Sequence, residues 1–264
     1  MPGTTIIMTV MTERVEVVDE RSEGDEPAPA LSPPPPATAD GLPTIALLVW
    51  LSPSFPVGSF AFSHGLEWAV ESGDVRDLAS LSSWLGSLVD SGGCYNDAVL
   101  LAVAWRAMGG GDMQSLEDAN GLAIGLAGSR ERRLETVAQG NAFLDVVIAA
   151  WGSPVIDAAR ARVCGDIAHP VAVAIASAAH GMPLATTLEA YCLSVVQNLV
   201  SASIRLNAIG QTDGQRAISA LLPMTQILAR KAQSATIDDV GGAAFRSDIA
   251  ALKHETQYTR LFRS

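Results

Sequence analysis

The chain has 264 residues, 48% of them apolar and 17% charged, with a net charge of −11 and a mean hydropathy of +0.26. That acidity excludes nucleic acid and anionic membrane surfaces as partners, since both select a basic footprint, and the low share of charged residues implies a large core or a surface that another protein covers. Cys94, Cys164 and Cys192 form no CxxC pair, which argues against a disulfide framework or a thiolate zinc site and fits a reducing cytoplasm.

The opening MPGTTIIMTVMTERVEVV has no basic stretch leading into a long apolar run, so no signal peptide is read there. Residues 1–42 hold eight acids and two arginines, hence −6 of the net charge, in a proline-rich setting. Such a segment offers too little apolar surface to offset its ordering entropy and reads as a disordered arm, with one all-α domain expected over 43–264. Two uncharged stretches, 41–66 and 167–188, contain prolines or histidines that rule out a membrane span.

Beyond Pro43 the periodicity is helical throughout. FPVG predicts a type I turn with Pro56 second and Gly58 fourth, and Ser59 is the expected cap of a helix behind it. On that helix Phe62, Leu66, Ala69 and Val70 share a core face, while Phe60, His64, Glu67 and Glu71, bordered by Trp68, form a second face that is aromatic and charged. Leu78, Leu81, Leu85 and Leu88 define the next helix, with Asp77 as N-cap and Gly92 and Gly93 as its stop. A helix capped by Asn96 comes next, then helices over 115–127, 129–151 and 154–163. His169 and Pro170 open another that Gly181 closes. The stripe Leu188, Tyr191, Cys192, Val195, Val196 and Leu199 marks a long helix, with Thr186 and Glu189 spaced as a capping box that Thr212 and Gln215 repeat. Pro223 is expected to interrupt or bend the helix that begins at that second box. A last helix is expected from about Ser247 into the C-terminal end. The class is all-α, a single-domain bundle of roughly ten helices.

Reacting groups are scarce. There is no phosphate-binding GxxxxGK[ST], no G-x-S-x-G elbow, and no HExxH spacing among His64, His169, His180 and His254. A metal carrier using Cys164, His169 and His180 and an enzyme built on His64 and Glu67 are the two readings that compete with a binding protein. The end of the chain, ALKHETQYTRLFRS, places Tyr258, Leu261 and Phe262 at helical spacing beside Lys253, Arg260 and Arg263. Arginine beside tyrosine is the composition of interface centres, which predicts a docking tail that orders on a partner.

Four segments, SPSFPVGSFAFSHGLEWAVESG, SRERRLETVAQG, HPVAVAIASAAHGMPLATTLEAYCLSVVQNLVSASIRLNAIGQTDGQ and HETQYTRLFRS, together resemble the UreF family of urease accessory proteins, over residues from about 45 to 264. The family often carries tyrosine or histidine where this chain has Phe62. The resemblance implies a non-catalytic, dimeric, cytoplasmic all-α protein without cofactor or metal of its own. It further implies binding to a UreD-like protein (also called UreH) and recruitment of a UreG-like GTPase for GTP-dependent nickel delivery to apo-urease. By position, Phe60 and Arg260 match residues linked to partner contact, and the tail from His254 to Ser264, including Glu255, Tyr258, Leu261 and Phe262, matches the segment that docks on the UreD-like partner. His64, Glu67, Arg130 and Arg133 complete the expected partner-binding set. Arg130, Arg132 and Arg133 are the candidates for contact with the GTPase.

Overall fold

The computed structural model describes residues 44–264. The arm expected over 1–42 lies outside the described residues. Within them the chain forms eleven α-helices, two 3₁₀ turns (Ser59–Ala61 and Ile237–Asp239) and no strand, so the all-α expectation holds.

In order the helices are α1 Ala46–Trp50, α2 Leu66–Glu71, α3 Leu78–Ser91, α4 Gly93–Gly110, α5 Met113–Gly125, α6 Arg130–Trp151, α7 Pro154–Arg162, α8 His169–Ala179, α9 Leu184–Arg205, α10 Gln211–Ala232 and α11 Phe245–His254. Helix α8 is the centre: every residue from Pro170 to Ser177 is buried, and small side chains let it pack closely between α4 and α6. Helix α9 lies against α10 and α4, α3 lies against α10, and α11 rests on α2. Asp77 caps α3 by accepting from Ser80 N at 2.8 Å, and Ser129 and Ser153 cap α6 and α7, each accepting the amide three residues on.

Several local expectations fail for identifiable reasons. The two capping boxes do not form, because α9 starts three residues earlier, behind Pro183, and α10 starts behind Gly210, so Thr186 and Thr212 lie inside the first turns. Asn96 is likewise inside α4, and its side chain holds the backbone of Gly241 and Gly242 instead. Helix α10 runs on through Pro223 without interruption. The turn at Pro56 closes at Val57, whose amide donates to Phe55 O at 2.8 Å, a three-residue turn that suits proline's fixed φ.

The largest departure is at the aromatic loop. No helix starts at Ser59. A 3₁₀ turn ends at Ala61, Phe62 is extended, and His64 (φ 56°) and Gly65 (φ 74°) are left-handed before α2 begins. Phe62, Leu66 and Ala69 are buried as expected and Val70 is half-buried, but the break rotates the second face, and Glu67 turns inward while Phe60 stays out. Gly65 permits this because a Cβ there would sit 2.5 Å from Ala251 N on α11. The last helix also stops early: α11 ends at His254, and the ten residues after it are not helical.

Gly65→Ala combines a left-handed conformation with backbone overlap and is expected to cost about 2 to 4 kcal/mol, a drop of roughly 5 to 15 °C in melting temperature. Thermal unfolding followed by circular dichroism checks this, and a melting temperature equal to the parent's contradicts the close packing of α2 on α11.

Candidate partner-docking surface

The non-helical tail after α11 folds back on the body, where the buried Glu67, the half-buried Glu131 and the exposed Glu71 receive it. Glu67, on the first turn of α2, accepts from the amides of Leu261 at 2.6 Å and Phe262 at 2.8 Å, and its Oε2 lies 3.1 Å from His254 Nε2. The other ring nitrogen of His254, Nδ1, is 2.6 Å from Glu131 Oε2 on α6, so a fully buried imidazole is held between two carboxylates. Arg260 donates to the second oxygen of Glu131 at 2.6 Å. Glu255 Oε1 accepts from the Arg130 amide at 2.6 Å, at the N-terminus of α6 where an anion is favoured, and Gln257 donates to Glu71.

Further along, the tail pairs with the aromatic loop. Arg263 N donates to Ala61 O at 2.8 Å, Ser63 N donates to Ser264 O at 2.8 Å, and the Ser63 hydroxyl donates to that same oxygen. Arg205 of α9 ties both segments to the bundle, donating to Phe60 O while its guanidinium lies 4.4 Å from the Phe262 ring centroid. Above this framework Phe60 is 65% exposed, Leu261 64%, and Tyr258 fully so. Phe60 and Leu261 are thereby held on the surface by their own backbones, and Tyr258 stands exposed between His254 and Arg260.

Beneath the loop, buried polar groups of α4, α6, α8 and α9 line a cavity of about 90 Å³. Glu135 is 2.7 Å from His64 Nε2 and pairs with Arg132. Burial pushes its carboxyl up, but the Arg132 and His64 charges and the hydrogen bonds from His64 and Ser264 outweigh that and hold it at about 2. Asp97, accepting from the Tyr191 hydroxyl at 3.1 Å, is raised by burial, against the pull of Arg132 and His64. His169, edge-on to Phe143, is pushed down to about 4 by burial.

The expected site residues therefore divide. Phe60, Tyr258, Leu261, Arg130 and Arg133 are exposed; Arg260 is exposed and tied to Glu131; Glu255 is half-buried. Glu67, His254 and Phe262 are buried, and so do not present a surface themselves but support the exposed residues beside them. His64 and Glu67 do not meet, since each is spent on a different pair, and the Ser63 hydroxyl is engaged with Ser264 rather than with His64. Cys164, His169 and His180 do not converge: Cys164 is exposed beyond α7, and the two histidines sit at opposite ends of α8, about 16 Å apart by helical rise. His180 Nε2 is instead 2.8 Å from Trp151 O. Among the described residues no group of three or more His, Cys, Asp or Glu is placed to hold a metal ion, and no helix is long and apolar enough to cross a membrane. Glu131, Glu135, Arg132 and Arg205 carry much of this framework. In the sequence, the first three are indistinguishable from a solvated charged helix face.

The UreF family model matches residues 75–222. The chain is 54% identical over 220 residues to the urease accessory protein UreF of Xanthobacter autotrophicus, covering 83% of this chain and 90% of that protein. It is 50% identical to the UreF of Rhodopseudomonas palustris strain HaA2 over 230 residues, 87% of this chain and 97% of that one, and 50% identical to the UreF of Azorhizobium caulinodans, 83% and 95%. The chain belongs to the UreF family. Both the aromatic loop and the tail lie outside the span of the family model.

Because the folded-state pKa of Glu135 lies below its ordinary value of 4.5, its contribution to stability is complete above that value and is lost as pH falls through about 2. The stability difference between the parent and Glu135→Gln is expected to shrink as pH falls from 4.5 toward 2. Urea unfolding of both proteins across that range checks the sign, and a difference that grows on acidification contradicts it.

Proposed function

We propose that this UreF-family chain is a non-catalytic, cytoplasmic scaffold in the assembly of the urease nickel centre. It binds a UreD/UreH-like accessory protein and recruits a UreG-like GTPase, so that GTP-dependent nickel insertion into apo-urease is carried out by its partners. The observation that carries this reading is the exposure of Phe60 and Leu261, each held by a backbone hydrogen bond, together with Tyr258 and Arg260, an aromatic and arginine cluster of the kind that dominates binding energy. A preordered cluster binds without first losing rotamer and loop entropy. Arg130 and Arg133, exposed on the first turn of α6 and lining one groove with Arg260, extend the surface toward the GTPase. The functional unit is a homodimer, in keeping with the low share of charged residues.

The engaged state of His64 and Glu67 supports a scaffold rather than an enzyme, and the scattering of Cys164, His169 and His180 supports a scaffold rather than a carrier. Phe60→Ala and Tyr258→Ala are each expected to weaken capture of the UreD-like protein at least about tenfold, the scale of a truncated hot-spot aromatic, with helicity unchanged. Removal of residues 254–264 is expected to abolish capture. Co-purification from cells expressing the urease gene set checks both, and undiminished complex with either change overturns the reading. Equilibrium dialysis of the purified chain against nickel is expected to leave no stoichiometric metal; retention of one ion per chain would favour the carrier.

A further inference from the structure

We infer that Glu135 is a positioning residue that sets the aromatic loop and the tail in register with each other. It is 2% exposed, one turn into α6 beyond Glu131. Its carboxylate has four partners arranged in two pairs. Oε1 accepts from Gln139 Nε2 at 3.1 Å and lies 2.7 Å from His64 Nε2; Oε2 accepts from Arg132 and from the Ser264 hydroxyl at 3.0 Å. Each oxygen thus has one partner from its own helix and one from outside it.

The own-helix partners, at i−3 and i+4, fix the carboxylate's orientation. The remaining acceptor directions then point at the loop and at the tail. Both segments need such a tether. His64 adopts a left-handed backbone conformation that is costly for a side chain with a Cβ, and the tail joins the loop through only a few backbone bonds, between Ser63 and Ser264 and between Ala61 and Arg263. A glutamine at this position keeps one acceptor oxygen and replaces the other by a donor, which then faces either the Arg132 guanidinium and the Ser264 hydroxyl, if it takes the place of Oε2, or Gln139 and His64, if it takes the place of Oε1. One carboxylate is therefore the shared reference for two segments that are 201 residues apart in sequence at Ser63 and Ser264, the tail lying 129 residues from it and the loop, at His64, closer. This placement does not depend on the docking reading, although the segments it sets are those that reading uses.

Amide hydrogen exchange of the full-length chain, resolved by NMR, tests it. In Glu135→Gln the amides of Ser63 and Arg263 are expected to exchange about tenfold faster or more, the scale of a lost charge-assisted hydrogen bond, with α8 and α9 amides unchanged. Ser264→Ala, which leaves the Arg132 pair intact, is expected to speed the same two amides. The double variant is expected to add little to Glu135→Gln alone, because both changes cut one tether. Unchanged exchange at Ser63 and Arg263 in both single variants overturns the proposal, as does uniform acceleration through α8 and α9 or an additive double variant. Capture of the UreD-like protein, measured separately on the same variants, reports on the docking reading. Faster exchange with undiminished capture would reject docking by the tail and leave the role of Glu135 standing.

Discussion

The arrangement of the aromatic loop and the tail depends on a buried carboxylate that must be satisfied. Glu67 sits inside the protein, where an ionised group without partners costs several kcal/mol, and the amides of Leu261 and Phe262 together with the His254 ring meet that demand. The tail is therefore a structural partner of α2, although its sequence looks like a fraying end. Once its backbone is committed inward at Glu67, the side chains of neighbouring residues sort by alternation: Phe262 goes in under Arg205, and Leu261 goes out. Exposure of the apolar residues is a result of how the backbone is held.

The same logic extends along α6. Glu131 and Glu135 are four residues apart and face one side of the helix. The first holds His254 and Arg260; the second holds His64, Arg132 and Ser264. Together with Glu67 they convert three chain segments distant in sequence into one surface. Charge burial of this kind contributes less to net stability than to specifying one arrangement, since leaving any of these carboxylates unpaired is worse than never burying it.

Much of the fold is legible in the sequence because apolar periodicity reports directly on burial. In the predicted stripe Leu188, Tyr191, Cys192, Val196 and Leu199 are buried and Val195 is half-buried at its margin. The aromatic loop escapes that reasoning because Phe60 and Phe62 fit a helical wheel, whereas the left-handed pair His64 and Gly65 makes the chain reverse there. A glycine signals such a break, but a left-handed histidine gives no sign in sequence. The tail mimics a helical stripe for a similar reason. Tyr258, Leu261 and Phe262 have the right spacing, yet their backbone partners belong to Glu67 and the loop, and contacts between residues nearly 200 positions apart leave no local pattern. Phe60, Tyr258 and Arg260 stand out in the sequence because their composition is distinctive. Glu131 and Glu135 do not, because ERRLE is what any solvated helix face looks like.

All of this requires that the tail belong to the folded body before any partner arrives. Heteronuclear ¹H–¹⁵N NOE values for residues 259–264 of the free chain decide the matter, because they report picosecond to nanosecond motion residue by residue. Values equal to those of α8 and α9 are expected at Leu261, Phe262 and Arg263. Values falling to zero or below along those residues would contradict a preformed surface.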